Sequence, residues 1–70
     1  MCVYTMAEAA KILRINVSKM HELRRAGLVK CFKLGQYKVS EVELNRFIDE
    51  STGKDVSDPW NVVDLQEAAH

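Results

Sequence analysis

The stretch T-M-A-E-A-A-K-I-L-R-I-N-V-S-K-M-H-E-L-R-R-A-G-L, residues 5–28, decides the fold of this 70-residue chain. Its first half is small and apolar, and its second half contains three bases: Lys19, Arg24 and Arg25. Gly27 lies near the end of the second half, at a position where glycine commonly ends a helix. The stretch therefore predicts two short helices joined by a tight turn, the second of them basic.

Capping signals in the sequence indicate where the helices begin. Thr5 and Glu8 have the spacing of a capping box, in which each side chain accepts a hydrogen bond from the backbone of the other residue. Ser40 and Glu43 repeat that spacing, and Asn16 is a favourable N-cap. The predicted helices cover residues 6–13, 17–26 and 41–49.

Between the second and third helices, the segment F-K-L-G-Q-Y-K-V, residues 32–39, alternates apolar and polar residues on both sides of a glycine. This alternation predicts two β-strands, and Gly35-Gln36 suits a two-residue type II′ turn between them. The residues expected to face inward are Phe32, Leu34, Tyr37 and Val39. The residues expected outside or at the tip are Lys33, Gln36 and Lys38.

The predicted order is thus helix, turn, helix, hairpin, helix. We predict one mainly α domain with a small β-hairpin, a winged helix-turn-helix, over residues 1–52. Residues 53–70 are predicted to be an acidic C-terminal tail that is flexible or weakly helical. Asp58-Pro59 would begin the helix in the second case, since proline favours the first helical position.

The net charge of zero conceals two oppositely charged parts. Residues 1–48 contain nine bases and four acids, a net charge of +5. Residues 49–70 contain one base and six acids, a net charge of −5. A basic body with an acidic tail favours a domain that binds a polyanion and has a separate appendage.

Several other classes of protein are disfavoured by the sequence. Cys2 and Cys31 lack the spacing of a metal site, and two free thiols are favoured over the alternative of one disulfide. No nucleophile–base pair and no glycine-rich phosphate loop is present, so we expect neither an enzyme nor a cofactor. Without a signal peptide or a long apolar stretch, we expect a cytoplasmic protein, associated with the nucleoid in a bacterial host.

The helical period divides the second helix into two faces. At about 100° per residue, the inward set is Val17, Met20 and Leu23. The outward set is Ser18, Glu22 and Arg25, flanked by Lys19 and His21. These outward side chains can donate hydrogen bonds to, or accept them from, the edges of DNA bases and phosphates. Most exposed lysines and arginines on a helix, however, are simply solvated.

A basic helix beside a lysine-bearing wing favours DNA binding over solvation for the group as a whole. The wing candidates are Lys33, Gln36 and Lys38, placed along the phosphate backbone or at a minor groove. Further phosphate contacts are expected from Arg14, Arg24 and Lys30. Arg24 lies nearer the inward side of the helix, so we expect it to extend along the domain edge toward a phosphate or an acid.

The sequence from residue 3 to residue 48 resembles the small winged helix-turn-helix domain of the excisionase family, which is itself similar to the DNA-binding domain of MerR-type regulators. The resemblance rests on E-A-A at Glu8–Ala10, Gly27-Leu28 after the second helix, and the glycine-tipped hairpin before a capped helix. It implies that the second helix enters the major groove and that the wing lies against the adjacent minor groove. Arg14 stands where this family often has glycine.

The resemblance implies an accessory factor of site-specific recombination in a phage or mobile element. Its expected partners are double-stranded DNA and either an integrase-type recombinase or another copy of the chain on an adjacent site, with Trp60 as an anchor for a partner. A small transcriptional regulator is the alternative. A protein-interaction module without DNA binding is the alternative from another class.

Overall fold

A computed structural model describes residues 2–65 and has the predicted winged helix-turn-helix architecture. The helices are α1 (Met6–Leu13), α2 (Val17–Arg25) and α3 (Glu41–Ser51). The strands are β1 (Val3–Thr5), β2 (Phe32–Leu34), β3 (Gln36–Ser40), β4 (Lys54–Asp55) and β5 (Val63–Asp64). A three-stranded antiparallel sheet has the order β1-β3-β2, and β4 pairs with β5 in a separate hairpin. The sequence did not predict β1, which extends the wing into a sheet.

The predicted helix starts are confirmed. Thr5 Oγ1 accepts a hydrogen bond from the Glu8 amide at 3.1 Å, and Glu8 Oε1 accepts one from the Thr5 amide at 2.9 Å. Asn16 Oδ1 accepts from the Lys19 amide at 2.8 Å. The helix ends differ slightly from the prediction: α2 stops one residue earlier, and α3 continues to Ser51.

The second capping box forms only in part. Ser40 Oγ accepts from the Glu43 amide at 3.1 Å, as predicted. The Glu43 carboxylate does not return to Ser40, which belongs to β3 and pairs with Val3. It accepts instead from the Lys30 amide at 2.8 Å and from Arg46 Nε at 2.8 Å. The start of α3 is therefore tied to the segment that leads into the wing.

One apolar core joins α1, α2, α3 and the sheet. Its fully buried members come from every one of these elements and from the segment before β2. They are Met6, Ala9, Ala10, Met20, Leu23, Val29, Val39, Leu44 and Phe47. Because Val39 of the wing and Met20 and Leu23 of α2 share this core, the wing and α2 are held in a fixed relation.

The register of the wing differs from the prediction by one residue. Lys33 pairs with Tyr37 and Leu34 with Gln36, so Gly35 alone lies between the two strands, and the expected two-residue turn is wrong. Gly35 adopts φ +77°. A shift of one residue moves a strand's side chains to the opposite face. Tyr37 and Val39 face inward as predicted, but the inward placement of Phe32 and Leu34 is wrong, since both are exposed.

The segment after α3 is a second hairpin. Lys54 pairs with Asp64 and Asp55 with Val63. A helix beginning at Pro59 is therefore wrong for the described part of the tail, and residues 66–70 of the predicted tail lie outside the described residues. Asp58 does cap the local structure, because its carboxylate accepts from the Trp60 amide at 3.2 Å, but the backbone turns there.

Candidate nucleic-acid interface

The turn between α1 and α2 contains an unusual backbone conformation at Arg14. This residue caps α1 in the left-handed region, with φ +61° and ψ +43°, and its amide donates to the carbonyls of Ala10 and Lys11. A side chain in this region costs roughly 1–2 kcal/mol compared with glycine. Arg14 is exposed, so its side chain is available to a ligand. Its predicted phosphate contact stays a prediction.

The two faces of α2 are largely as predicted. Met20 and Leu23 are buried, whereas Ser18 and Arg25 are exposed. The prediction is wrong for Val17, which is also exposed. Within residues 2–65, no carboxylate lies within 4.0 Å of the Arg25 guanidinium. The C-terminal end of α2 therefore presents a cation to solvent.

The C-terminal hairpin contacts α2 near its N-terminal end, at Lys19. Lys19 Nζ lies 3.2 Å from Glu22 Oε1 and donates to the Ser57 carbonyl at 2.6 Å. Val56 packs against the core beside this contact. Two of the predicted DNA-binding residues are thus paired with each other, and Lys19 is also held by the acidic segment. No local pattern predicts this contact, because it joins residues 38 apart in the chain.

Tyr37 is the point at which α2 meets the wing. The Arg24 guanidinium carbon lies 3.9 Å from the centre of the Tyr37 ring, and Lys33 Nζ lies 5.2 Å from it. His21 contacts the same ring edge-on, with 6.1 Å between ring centres. Cation–π contacts of this kind contribute about 0.5–2 kcal/mol each.

This junction corrects one expectation, that Lys33 points away from the core side of the sheet. Lys33 instead lies over Tyr37, because the register of the wing puts both residues on the same face. Arg24 also stacks on Tyr37, and its expected phosphate contact stays a prediction. The alternation of residues 32–39 contains the signal, but only the pairing across Gly35 shows which residues share a face.

The surroundings of His21 disfavour its charged form. Partial burial lowers its pKa below the usual value of 6.5, and the nearby Arg24 and Arg25 lower it further. Arg24 Nε donates to His21 Nδ1 at 3.3 Å, so the imidazole accepts through that nitrogen and has its proton on Nε2. His21 therefore fixes the Arg24 guanidinium over Tyr37 instead of adding a charge.

The wing and the segment before it form a positively charged strip. Residues 28–40 contain three lysines and no acid. The lysines are Lys30, Lys33 and Lys38. Gln36 is exposed beside the tip, and Lys38 is half-buried across from Phe32.

Glu43 holds the backbone at the start of the positively charged strip, at Lys30. Its hydrogen bond from Arg46 outweighs burial and, with the Lys30 amide, lowers the pKa of the carboxyl from 4.5 to about 2. Arg46 also donates to the Leu28 carbonyl at 3.0 Å. The ionised carboxylate therefore fixes the chain that enters the wing without neutralising an exposed lysine.

Other predicted features have the following places. Trp60 is 61% exposed on the turn of the C-terminal hairpin. Cys2 and Cys31 are free thiols, so the disulfide alternative is wrong. In residues 2–65, no group of three or more histidine, cysteine or acidic side chains is placed to hold a metal ion. None of the helices in this range has the length and apolarity needed to cross a membrane.

Residues 3–52 match the family model described as a helix-turn-helix domain. The chain belongs to this helix-turn-helix family. The match begins at β1 and ends just after α3, so it covers α2, the wing and the Tyr37 junction. Membership in the family supports sequence-specific DNA binding. No curated protein and no solved structure matches the chain.

The matched residues stop before β4, so the C-terminal hairpin lies outside the helix-turn-helix domain. The hairpin nevertheless contacts α2 through Lys19 and the core through Val56. The domain and its appendage therefore meet at the N-terminal end of the helix expected to bind DNA.

Proposed function

We propose that this helix-turn-helix protein is an excisionase-like accessory factor of site-specific recombination in a phage or mobile element. In this proposal α2 enters the major groove of double-stranded DNA, and the wing contacts the adjacent backbone or minor groove. The excisionase assignment is supported by the resemblance of residues 3–48 stated above. We also propose that this domain is similar to the DNA-binding domain of MerR-type regulators.

The observation that supports DNA binding best is the junction at Tyr37. Arg24 and Lys33 stack on one ring, so a cation from α2 and a cation from the wing lie together. The exposed Arg25 is the next residue after Arg24 and the last residue of α2. Because α2 and the wing are held in a fixed relation, their cations could contact phosphates on the two sides of one groove. Such phosphate contacts orient a protein so that its helix can contact base edges.

The proposed base-reading residues are polar side chains of α2, of which Ser18 and Arg25 are exposed and the other three are half-buried: Ser18, Lys19, His21, Glu22 and Arg25. The proposed wing contacts are Lys33, Gln36 and Lys38. Arg14, Arg24 and Lys30 would contact phosphates. Lys19 would have to leave the Ser57 carbonyl before it could reach DNA.

Short contacts from one helix and one small wing cover only a few base pairs, so useful specificity needs a second bound protein. We propose that this is a recombinase or another copy of the chain on an adjacent site. Trp60 is the proposed anchor, since an exposed tryptophan is a side chain that commonly dominates the energy of a protein interface. The protein would act with the host nucleoid.

Footprinting on genomic DNA that neighbours the coding sequence tests the proposal. A cluster of protected sites at a recombination junction is expected. Protection confined to a promoter operator would contradict the recombination role and identify a transcriptional regulator. No protection at all would contradict DNA binding and leave a protein-interaction module.

Arg25→Ala tests the assigned face of α2 in the same assay. We expect the loss of a base contact to weaken binding by about 1–3 kcal/mol. Lys54→Ala removes the same charge from outside the matched domain and serves as the control. Equal effects of the two substitutions would show that the face is wrong.

A further inference from the structure

The outer face of the wing presents two apolar side chains to solvent. Leu34 is 70% exposed and Phe32 is 44% exposed. They lie two residues apart on one strand, so both point to the face opposite Tyr37 and Val39. Burial in the core therefore does not explain their apolar character.

Leu34 lies at the very end of the wing. It pairs with Gln36 across Gly35, and apart from Gly35 and its two chain neighbours no atom of the described residues lies within 4 Å of the position that a Cβ on Gly35 would occupy. The space around the tip is therefore open, and a bound surface can reach Leu34.

A single exposed leucine needs no explanation, but this one lies in a charged setting. Lys38 lies across from Phe32 on the same face, and Lys33 directly precedes Leu34. An apolar tip with lysines beside it suits a target that has an apolar interior between two rows of negative charge. The minor groove of duplex DNA is such a target, with stacked bases between two phosphate backbones.

We propose that Leu34 acts as an apolar wedge that enters the minor groove, opens one base step and bends the duplex, with Phe32 packing on the adjacent sugars. Apolar wedges of this kind occur in other proteins that bind the minor groove. Lys33 and Lys38 contact the phosphates on the two sides of the groove. The inference rests on the proposed function, since α2 must bring the wing to DNA.

The charges favour DNA over a protein partner for this face. Residues 28–40 contain no acid, so the face lacks the mixed charges with which protein surfaces commonly pair. A second copy that packed its own wing on this face would bring the same positive charge and repel it. The acidic C-terminal hairpin, with Trp60, is the better surface for a protein.

The test uses the full chain and a 30-base-pair duplex of about the footprinted length. The duplex has a donor and an acceptor dye at its ends and 2-aminopurine at the step protected by the wing. Leu34→Gln removes the apolar contact and keeps the size, and Leu34→Met keeps both. Ile48→Gln changes an exposed apolar residue of α3 and is the matched control.

With the wild type, energy transfer and 2-aminopurine fluorescence should both rise on binding. Leu34→Gln should lose at least half of each change and weaken binding by less than about tenfold, with the same sequence preference. Leu34→Met and Ile48→Gln should behave as the wild type. Melting curves of all variants check that each is folded.

Two results would overturn the wedge while leaving DNA binding intact. One is a Leu34→Gln protein that bends the duplex and raises the 2-aminopurine signal as the wild type does. The other is a Leu34→Gln protein with unchanged bending and lost self-association in sedimentation, which would make the face a protein contact. If the wild type binds no duplex at about 50 mM salt, the proposed function fails, and the wedge fails with it.

Discussion

Residues 2–65 contain two hairpins of similar form and opposite charge. The wing, β2–β3, lies in a segment with three lysines and no acid, whereas residues 54–65, which form the C-terminal hairpin β4–β5, contain one lysine and three aspartates. The wing pairs with β1 and buries Val39 in the core. The C-terminal hairpin has two strands only and contacts the body through Val56 and Lys19.

The wing is thus part of the folded domain, whereas the C-terminal hairpin is attached to the surface of the domain. A two-stranded hairpin alone is marginally stable in water, whereas a third strand with an apolar face stabilises a sheet. The wing is therefore inseparable from the folded domain. The C-terminal hairpin depends on the body for its place, and it contacts α2 at Lys19 without contributing a fully buried hydrophobic side chain to the core cluster. Removing contacts from each hairpin should give unequal effects.

The largest expected effect is on the free energy of unfolding. Val39→Ala should lower it by about 2–3 kcal/mol, because it removes fully buried methyl groups and leaves a cavity. Val56→Ala is the matched control in the C-terminal hairpin and should cost below about 1 kcal/mol, since Val56 is only partly buried. Urea unfolding measures both. Equal losses would show that the two hairpins are equally integrated.

A second expected effect concerns the ionised Glu43 behind the wing. Its pKa is lowered from 4.5 to about 2 in the folded protein, so its contribution to stability is complete above pH 4.5 and is lost as the pH falls toward 2. Glu43→Gln should cost about 1–2 kcal/mol near neutral pH, because charged hydrogen bonds become neutral ones. Thermal melts from pH 2 to 7 measure the difference.

Glu50→Gln is the control for this prediction. Glu50 also accepts from Arg46, at 2.6 Å, but its side chain is 64% exposed. The wild type and Glu50→Gln should lose stability in acid along similar curves, whereas Glu43→Gln should show a flatter one. A Glu43→Gln curve that parallels the wild type would place the acid sensitivity elsewhere.

The attached hairpin should also reduce DNA binding. Deleting residues 54–70 removes a net charge of −3 and releases Lys19 from the Ser57 carbonyl. Binding to non-specific duplex should tighten, and the salt dependence should steepen by about 0.9 for one phosphate gained. Urea unfolding of the deleted protein should stay cooperative.

Trp60→Ser keeps the charge and the Lys19 contact, so it serves as the control and should leave DNA affinity unchanged. Fluorescence anisotropy measures the DNA affinity of the deleted protein and of this control. If the deletion weakens DNA binding, or if unfolding becomes non-cooperative, then the C-terminal hairpin belongs to the domain as the wing does.

The smallest expected effect lies outside both hairpins, at Arg14 in the turn between α1 and α2. Arg14→Gly should raise the free energy of unfolding by roughly 0.5–1 kcal/mol, because relief of the left-handed strain exceeds the entropy that glycine loses on folding. The same substitution should weaken DNA binding if the side chain contacts a phosphate. A protein that is both more stable and equally tight in binding would show that Arg14 has no part in the interface.

The sequence predicts the local parts of this structure well. Thr5, Asn16 and Ser40 cap helices because each needs only a backbone amide three residues away. The fold class follows from the order of these caps and the alternation around Gly35. The resemblance to a known family points to the same class as the family match.

The parts that the sequence missed depend on residues far apart. The register of the wing is set where β3 pairs with β1 and Val39 enters the core, and an error of one residue reverses Phe32, Leu34 and Lys33. The Glu43 contact with the Lys30 amide and the Lys19 contact with Ser57 are also distant in sequence. Local propensity contains no information about such pairs.

The salt dependence of DNA binding tests most directly the claim that α2 and the wing together bind duplex DNA. Anisotropy titrations of the footprinted duplex between about 50 and 300 mM salt give the slope of log affinity against log salt. For about 4–5 phosphate contacts, the expected slope lies between about −3 and −5. A flat profile, or no binding at about 100 mM salt, would contradict the claim.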